Sequence, residues 1–495
     1  LLVTLDQRKA PYFDAWLAYR DAGIVSYSTP GHKQGRGFPE VILAAVGADF
    51  ARMDIPHGGG VDDTHLSAGH LDRAEELAAA AWGADAAVFL VNGSTAGNQA
   101  FMLATCRPGD EVIVARNLHK SLLAGLILSG AKPVYLHPAV DPVHNLSLDI
   151  GVDEVRRALD SHPNARAVIL VSPAYSGVSS DLAAISALCN ERRVPLLIDE
   201  AWGPHFPFHP DLPPSAMESG AAGAVTSIHK LLPGFTQSSL LVLRGDLVDV
   251  GAFRSAVSML QTTSPAAFIH ASIDACRRQM ALHGKSLLDR TLALASRARH
   301  EIASLPGLTV IGEEVIANRP GTRLDPTRIM VDVHGLGLTG FEAEAILREQ
   351  YRVGAEMSDL VSVIAMLTVS DNDETVDHLV DGFRNLLSHA KTGNHDGGAE
   401  LRSSGSVILS ATQVLTPREA MLGPVETVPL DRAAGRVSAE IITPYPPGIP
   451  VIAPGEVVSA EIIDYLRSGV ALGMYISGPA DGTLATLKVV AGEAR

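Results

Sequence analysis

The stretch "SIHK" (227–230) sets a hydroxyl, an imidazole and an amine beside the apolar run "AVTSI" (224–228). Core packing has no use for a lysine there, so Lys230 is a candidate nucleophile able to form a C=N bond with a carbonyl. Two further segments carry complementary chemistry. "PLLID" (195–199) ends in Asp199, a carboxylate that needs a cationic or hydrogen-bonding partner to stay ionised behind so apolar a run. "FLVNGSTAGNQA" (89–100) places Asn92, Gly93, Ser94 and Thr95 between an apolar run and a helical one. Hydroxyls and free backbone N–H groups at a helix N-terminus hold an anion.

Each of these features is ordinary by itself. As an ordered set they meet the needs of pyridoxal 5′-phosphate: an anion site for the phosphate, an acid for the pyridine nitrogen and a lysine for the aldehyde. Other readings fit less well. The glycine loop lacks the Gly-Lys-Ser/Thr ending of a Walker loop, and "GSTAG" mimics a nucleophile elbow without an acid–histidine pair to serve it. His119, in "ARNLHKS" (115–121), ends another apolar run. His205 and His209 have i,i+4 spacing, but Pro204, Pro207 and Pro210 rule out the helix a zinc pair would need, so no metal is expected.

The elements that must position these groups alternate between strand and helix. Short apolar runs at 86–91, 111–115, 132–136, 167–171, 195–199, 224–228 and 239–243 are separated by helical stretches such as "DLAAISALCNERR". That pattern predicts an α/β fold with a mostly parallel sheet covered on both faces, its chemistry at the strand C-terminal ends, and the expected fold adds a smaller C-terminal α+β region. A helix over about 266–303 leads to a second region with "RIMVDV" and "VIAMLTVS" as strands and "GFEAEAILREQY" as a helix. The expected division is an N-terminal arm (1–60), a cofactor-binding large domain (61–303), a small α/β domain (304–390), a Gly-, Ser- and His-rich linker (391–406) and a C-terminal domain (407–495).

Composition narrows the partners. At 495 residues the chain exceeds one ordinary core, and 46% hydrophobic with 19% charged residues is the balance of a globular protein. A net charge of −16 argues against nucleic acid and is compatible with a cationic small molecule. The uncharged stretch 86–106 is broken by Asn92, Asn98 and Gln99, so no membrane span is expected. Three scattered cysteines, Cys106, Cys189 and Cys276, read as reduced thiols of a cytoplasmic protein.

With these segments in hand, the sequence resembles the Orn/Lys/Arg decarboxylase family of fold-type I (aspartate aminotransferase-like) pyridoxal-phosphate enzymes, in a shorter form without an N-terminal wing domain. "TPGHKQGRGF", "VNGSTAGN", "ARNLHKSLLAGLILSGAKPVYL", "IDEAWGPHF", "SIHKLLPGFTQSS", "TTSPAAFIHASIDACR" and "PYPPGIPVIAPGE" carry the likeness over almost the whole chain. The resemblance implies that Lys230 carries the cofactor covalently, Asp199 pairs with its ring nitrogen, and His119 and Ala201 pack on the two ring faces. It implies that Ser94, Thr95, Ser227, His229 and the Ala96 amide surround the phosphate. Thr262 or Thr263 would reach the phosphate of a neighbouring subunit, which implies a homodimer or higher homo-oligomer.

The implied reaction is α-decarboxylation of a basic L-amino acid, arginine first, with lysine and ornithine as alternatives, and with Lys230 or His229 returning a proton to the α-carbon. Glu456, in "APGE", is the acid expected to recognise the substrate's distal cation. Pro233, Ala174 and Trp202 depart from the family pattern. Trp202 and Pro233 leave room for transamination or oxidation, and a non-catalytic regulatory homologue is a separate alternative that the intact lysine, aspartate and phosphate loop disfavour.

Overall fold

The computed structural model describes residues 5–57, 61–62, 69–144, 146–391, 411–444 and 448–492. The expected linker, apart from Lys391, lies outside them, as do parts of the segments around residues 63–68 and 445–447. The seven apolar runs all enter one sheet: β1 (Ala86–Leu90), β2 (Glu111–Ala115), β3 (Lys132–Leu136), β4 (Val168–Val171), β5 (Leu196–Asp199), β6 (Gly223–Thr226) and β7 (Ser239–Leu243). Their spatial order is β1-β7-β6-β5-β4-β2-β3, with β7 antiparallel to both its neighbours and the rest of the pairs parallel.

Side-chain alternation explains why these strands contain almost no polar residue. In β2, Ile113 and Ala115 enter the core on one face while Val112 and Val114 enter the core on the other. In β5, Leu196 and Ile198 oppose Leu197 in the same way. Helices cover both faces, so β4 to β7 are almost wholly buried and their polar groups lie at strand ends, whereas the edge strand β3 leaves Lys132 exposed.

In chain order the helices that bear on the site are α1 (Pro11–Asp21), α2 (His70–Ala81), α3 (Gly93–Thr105), α4 (Lys120–Ser129), α5 (Leu182–Glu191), α6 (Ile228–Leu231) and α7 (Ala267–Ala303). α3 and α4 pack on one face, whereas α5, α2 and the first turns of α7 pack on the other. The arm is fastened by charge as well as by packing. Tyr12 N–H donates to Asp274 on α7 (2.9 Å), and Arg277 bonds both Asp274 (2.6 Å) and the Gln7 carbonyl (2.8 Å).

One strand ends earlier than the sequence suggests. The run expected over 224–228 stops at Thr226, and Ile228–Leu231 form a single helical turn, α6. The reason is local: the Ser238 carbonyl accepts from both the His229 backbone N–H (3.3 Å) and His229 Nδ1 (2.7 Å), which bends the chain out of the sheet.

Beyond α7, four strands form a separate sheet: β8 (Thr309–Val310), β9 (Arg328–Asp332), β10 (Met357–Ser358) and β11 (Ser362–Met366), in the order β8-β9-β11-β10. All its pairings are antiparallel, which makes residues 309–366 α+β where a small α/β domain was expected over 304–390, and which fits the smaller α+β region of the expected fold class. Residues 411–492 add a two-stranded pairing of Val425–Pro429 with Thr486–Val490 and the helix Ala460–Ala471. Among the described residues no helix is long and apolar enough to cross a membrane, and all three cysteines are free and buried.

Candidate active site

Parallel register sets Val171, Asp199 and Val225 abreast, so β4, β5 and β6 end along one edge of the sheet. The loops leaving that edge surround a cavity of about 370 Å³. Ser94, Thr95, His119, Asp199, Ala201, Ser227, His229 and Lys230 all line it. Ala96 is buried in α3 and does not, and Thr262 and Thr263 are exposed away from it.

At one end stands a cluster of hydroxyls. Gly93 turns the chain from β1 into α3 at φ +66°, a left-handed conformation that glycine adopts without strain. Ser94 follows in the first turn, its Oγ 2.7 Å from Ser227 Oγ and 2.8 Å from Ser239 Oγ. The close approach of α3 to the sheet makes this possible. A Cβ at Gly97 would lie 2.6 Å from Val225 Cγ2 and 2.8 Å from Leu90 Cδ1. Ser94 and Ser227 open to the cavity at a helix N-terminus and suit a phosphate dianion, while Ser239, buried behind them, holds Ser94 in place and donates to the Thr226 carbonyl (2.7 Å).

The acid is held by a chain of polar contacts. Asp199, 3% exposed, accepts from Asn98 Nδ2 (2.6 Å) and from the Ala201 N–H (3.2 Å). Burial pushes its carboxyl above the usual range, while the Lys230 charge and these hydrogen bonds pull the other way. Asn98 also donates to Ser121 Oγ (3.0 Å), which lies 2.8 Å from His119 Nδ1. Nδ1 accepts from the Ser121 backbone N–H (3.2 Å), and burial, with help from Lys230 and Lys120, brings the imidazole down to about 4. His119 is therefore a neutral ring at pH 7, with its proton on Nε2.

Burial brings the Lys230 amine down to about 8; Asp199 opposes the shift and Arg328 adds to it. Lys230 Nζ lies 3.5 Å from the centre of the Trp202 ring, and the guanidinium carbon of Arg328 lies 4.5 Å from the same centre. Arg328 also donates to the Trp202 carbonyl (3.2 Å). Next to the lysine, His229 Nδ1 donates to the Ser238 carbonyl, which leaves Nε2 as the ring's basic nitrogen. The residues present fit pyridoxal 5′-phosphate: hydroxyls and amides for the phosphate, a buried carboxylate for the ring nitrogen and a depressed amine for the aldehyde.

The acid facing this cavity is not the one expected. Glu456 is 1% exposed, lies off the cavity lining and gives its carboxylate to Arg116 Nε (2.8 Å), Arg116 Nη2 (2.8 Å) and the Ala453 N–H (2.8 Å). A buried carboxylate so fully paired has nothing left for a ligand. Glu356 lines the cavity instead, exposed to solvent and within the field of Lys230 and Arg328.

Asn98, Ser239, Arg328 and Glu356 were not foreseen as site residues. Asn98 did leave a signal, since it lies four residues, about one helical turn, after Ser94 and so falls on the same helix face. His205 and His209 turn to different carboxylates, Asp325 (3.3 Å) and Asp289 (2.9 Å).

Comparison with known proteins agrees with this geometry. The model of the Orn/Lys/Arg decarboxylase major domain matches residues 10–375, and that of the Orn/Lys/Arg decarboxylase C-terminal domain matches residues 407–475. The chain is similar to an arginine decarboxylase of Halalkalibacterium halodurans (37% identity over 98% of each chain). It is similar also to one of Bacillus anthracis (36%, again 98% of each). In fold it matches the lysine decarboxylase of Francisella novicida with a TM-score of 0.82 at 21% identity, covering 97% of this chain and 80% of the other. It also matches the ureidoglycine–glyoxylate aminotransferase of Bacillus subtilis with a TM-score of 0.54 at 13% identity, covering 67% of this chain and 88% of the other. With the site and both matched domains in view, the chain belongs to the Orn/Lys/Arg decarboxylase family of fold-type I enzymes and is a pyridoxal-phosphate-dependent amino-acid decarboxylase.

Proposed function

We propose that the substrate is L-arginine and the products are agmatine and carbon dioxide. One observation carries this reading. A depressed lysine, a buried aspartate and a hydroxyl cradle converge on a cavity with a carboxylate at its mouth, in a chain whose curated relatives at 37% and 36% identity are arginine decarboxylases.

Pyridoxal phosphate, when bound, supplies the electron sink that lets the α-carboxylate depart. The chain's own residues do the rest. Lys230 would hold the aldehyde carbon, and its amine, when free and carrying a proton taken from the substrate ammonium, could return that proton to the α-carbon. His229 Nε2 is the second candidate for that transfer. Asp199 keeps the proton on the ring nitrogen, supported by Asn98 and the Ala201 amide. His119 and Ala201 would bound the ring, and Ser94, Thr95 and Ser227 would hold the phosphate, with His229 beside them and Ser239 orienting Ser94 from behind. Glu356 takes the distal guanidinium, because it is the acid at the mouth and Glu456 is already paired. The active unit is a homodimer in which Thr262 or Thr263 reaches the partner's phosphate, and free, buried thiols favour a cytoplasmic setting.

The test is mass spectrometry of products from the purified protein given arginine, lysine or ornithine, under nitrogen and under air. Agmatine and carbon dioxide from arginine, with rates at least tenfold lower on the other two, support the proposal. Cadaverine or putrescine as the main amine, or an oxidised product formed only under air, overturns it.

A further inference from the structure

The contacts of Glu456 extend beyond one ion pair. Arg116 is 2% exposed and Glu456 1%, and the guanidinium meets both carboxylate oxygens at 2.8 Å. Its remaining N–H groups reach backbone: Nη1 to the Pro450 carbonyl (2.6 Å) and Nη2 to the Val451 carbonyl (3.3 Å). The Glu456 carboxylate also takes the Ala453 N–H, which closes the loop on itself. Arg116 sits just past the end of β2, fixed by its own N–H to the Leu136 carbonyl at the end of β3 (2.7 Å). One side chain of the large domain thus ties three points of the C-terminal segment 450–456.

That segment adjoins the site on both sides of the contact. Ile449, directly before Pro450, lines the cavity, and so does Asn117, directly after Arg116. His119 follows two residues later. A charge pair withdrawn this far from water is an expensive way to hold a loop, and an apolar contact of the same size would stabilise the fold at least as well. What the pair adds is register: bidentate geometry plus two carbonyl bonds fixes direction and depth, which apolar packing leaves loose.

We infer that Arg116 and Glu456 are positioning residues that set the Ile449 wall of the substrate cavity and so govern substrate affinity, without touching substrate or cofactor. This rests on the function proposed above. The two halves of the pair come from "ARN" and "PGE", more than 300 residues apart, and only the folded chain joins them.

The experiment compares Arg116→Met, Glu456→Gln and the double variant Arg116→Met/Glu456→Met in the full-length, cofactor-loaded protein. KM and kcat for arginine, the melting temperature and the visible absorbance of the bound cofactor are measured. The expected result is a KM raised at least tenfold in every variant that folds, with kcat within threefold and the absorbance retained.

Because the double variant leaves no unpaired buried charge, it melts closer to the parent than either single variant, yet its KM stays high. Its wall has lost the donors to Pro450 and Val451. A double variant with KM within twofold of the parent overturns the inference, since the pair then serves stability alone. Loss of kcat or absorbance at unchanged KM overturns it too, by placing the effect at the cofactor. Failure of the functional reading shows separately, as a parent protein that releases no amine from arginine.

Discussion

Replacing Arg328 with methionine should make the active-site lysine more basic, and the size of the change follows from two distances. Lys230 Nζ and the Arg328 guanidinium carbon lie 3.5 Å and 4.5 Å from the centre of one indole ring. They are therefore no more than about 8 Å apart, and at an effective dielectric of about 20 two unit charges at that distance repel by roughly 2 kcal/mol. Solvent in the cavity screens part of this, so about 1 to 1.5 pKa units is the expected rise.

The sign is fixed by the like charge: Arg328 disfavours the ammonium, and its removal favours it. Starting from about 8, the lysine of the variant titrates above 9. At pH 7 the neutral, nucleophilic fraction then falls about 10- to 30-fold. The assay follows the visible absorbance as pyridoxal phosphate is added to cofactor-stripped full-length protein between pH 6 and 10. The parent rate should rise with pH and level off above about 8, whereas that of Arg328→Met should be 10- to 30-fold slower at pH 7 and converge with the parent near pH 10. An inflection left at 8, or moved down, would refute the claim that this guanidinium tunes the lysine.

Other outcomes follow from the same site. Lys230→Ala should abolish both turnover and the borohydride-trapped adduct at position 230, read by peptide mass spectrometry; a residual adduct there would contradict the covalent assignment. Glu356→Gln should raise KM for arginine about five- to tenfold, because solvent at an exposed mouth brings a charge-assisted contact to about 1–1.4 kcal/mol, just under its usual 1.5–3 kcal/mol. An unchanged KM would remove Glu356 from substrate recognition. Gly97→Ala should lower stability by about 1–3 kcal/mol through overpacking against Val225 and Leu90, seen as a reduced melting temperature with weakened cofactor retention. Ser239→Ala should weaken cofactor affinity by freeing Ser94, while leaving the pH profile of the lysine in place, since its hydroxyl bonds Ser94 and the Thr226 carbonyl and not the lysine; equilibrium dialysis reads the first and the loading assay the second.

Much of this site was legible in the sequence because its parts sit where periodicity stops. Lys230, Asp199, Ser94 and His119 each follow an apolar run, and a polar group just past a buried strand can only lie at the sheet's edge. The seven strands were visible for the same reason: with both faces covered, nearly every residue must be apolar, as in "EVIVA" and "SLLVL". The antiparallel sheet of residues 309–366 was less legible, because single strands carry no mark of their direction. Where β6 ends was equally hidden, since Ser227 and Ile228 suit a strand as well as a turn, and the Ser238 carbonyl that bends the chain lies beyond the next loop.

The sequence by itself determined which groups could react, because amine, acid and hydroxyls are properties of residue type. Tertiary structure alone decided which partner each group has. Ser239 joins Ser94 only because β7 lies between β1 and β6, and Asn98 reaches Asp199 only because α3 packs so close to the sheet. Glu456 looked free to bind a cation until the fold brought Arg116 across 340 residues to claim it, leaving Glu356 at the mouth. A charge's role depends on its nearest opposite charge and its access to water, and both are set by chain segments far apart in sequence.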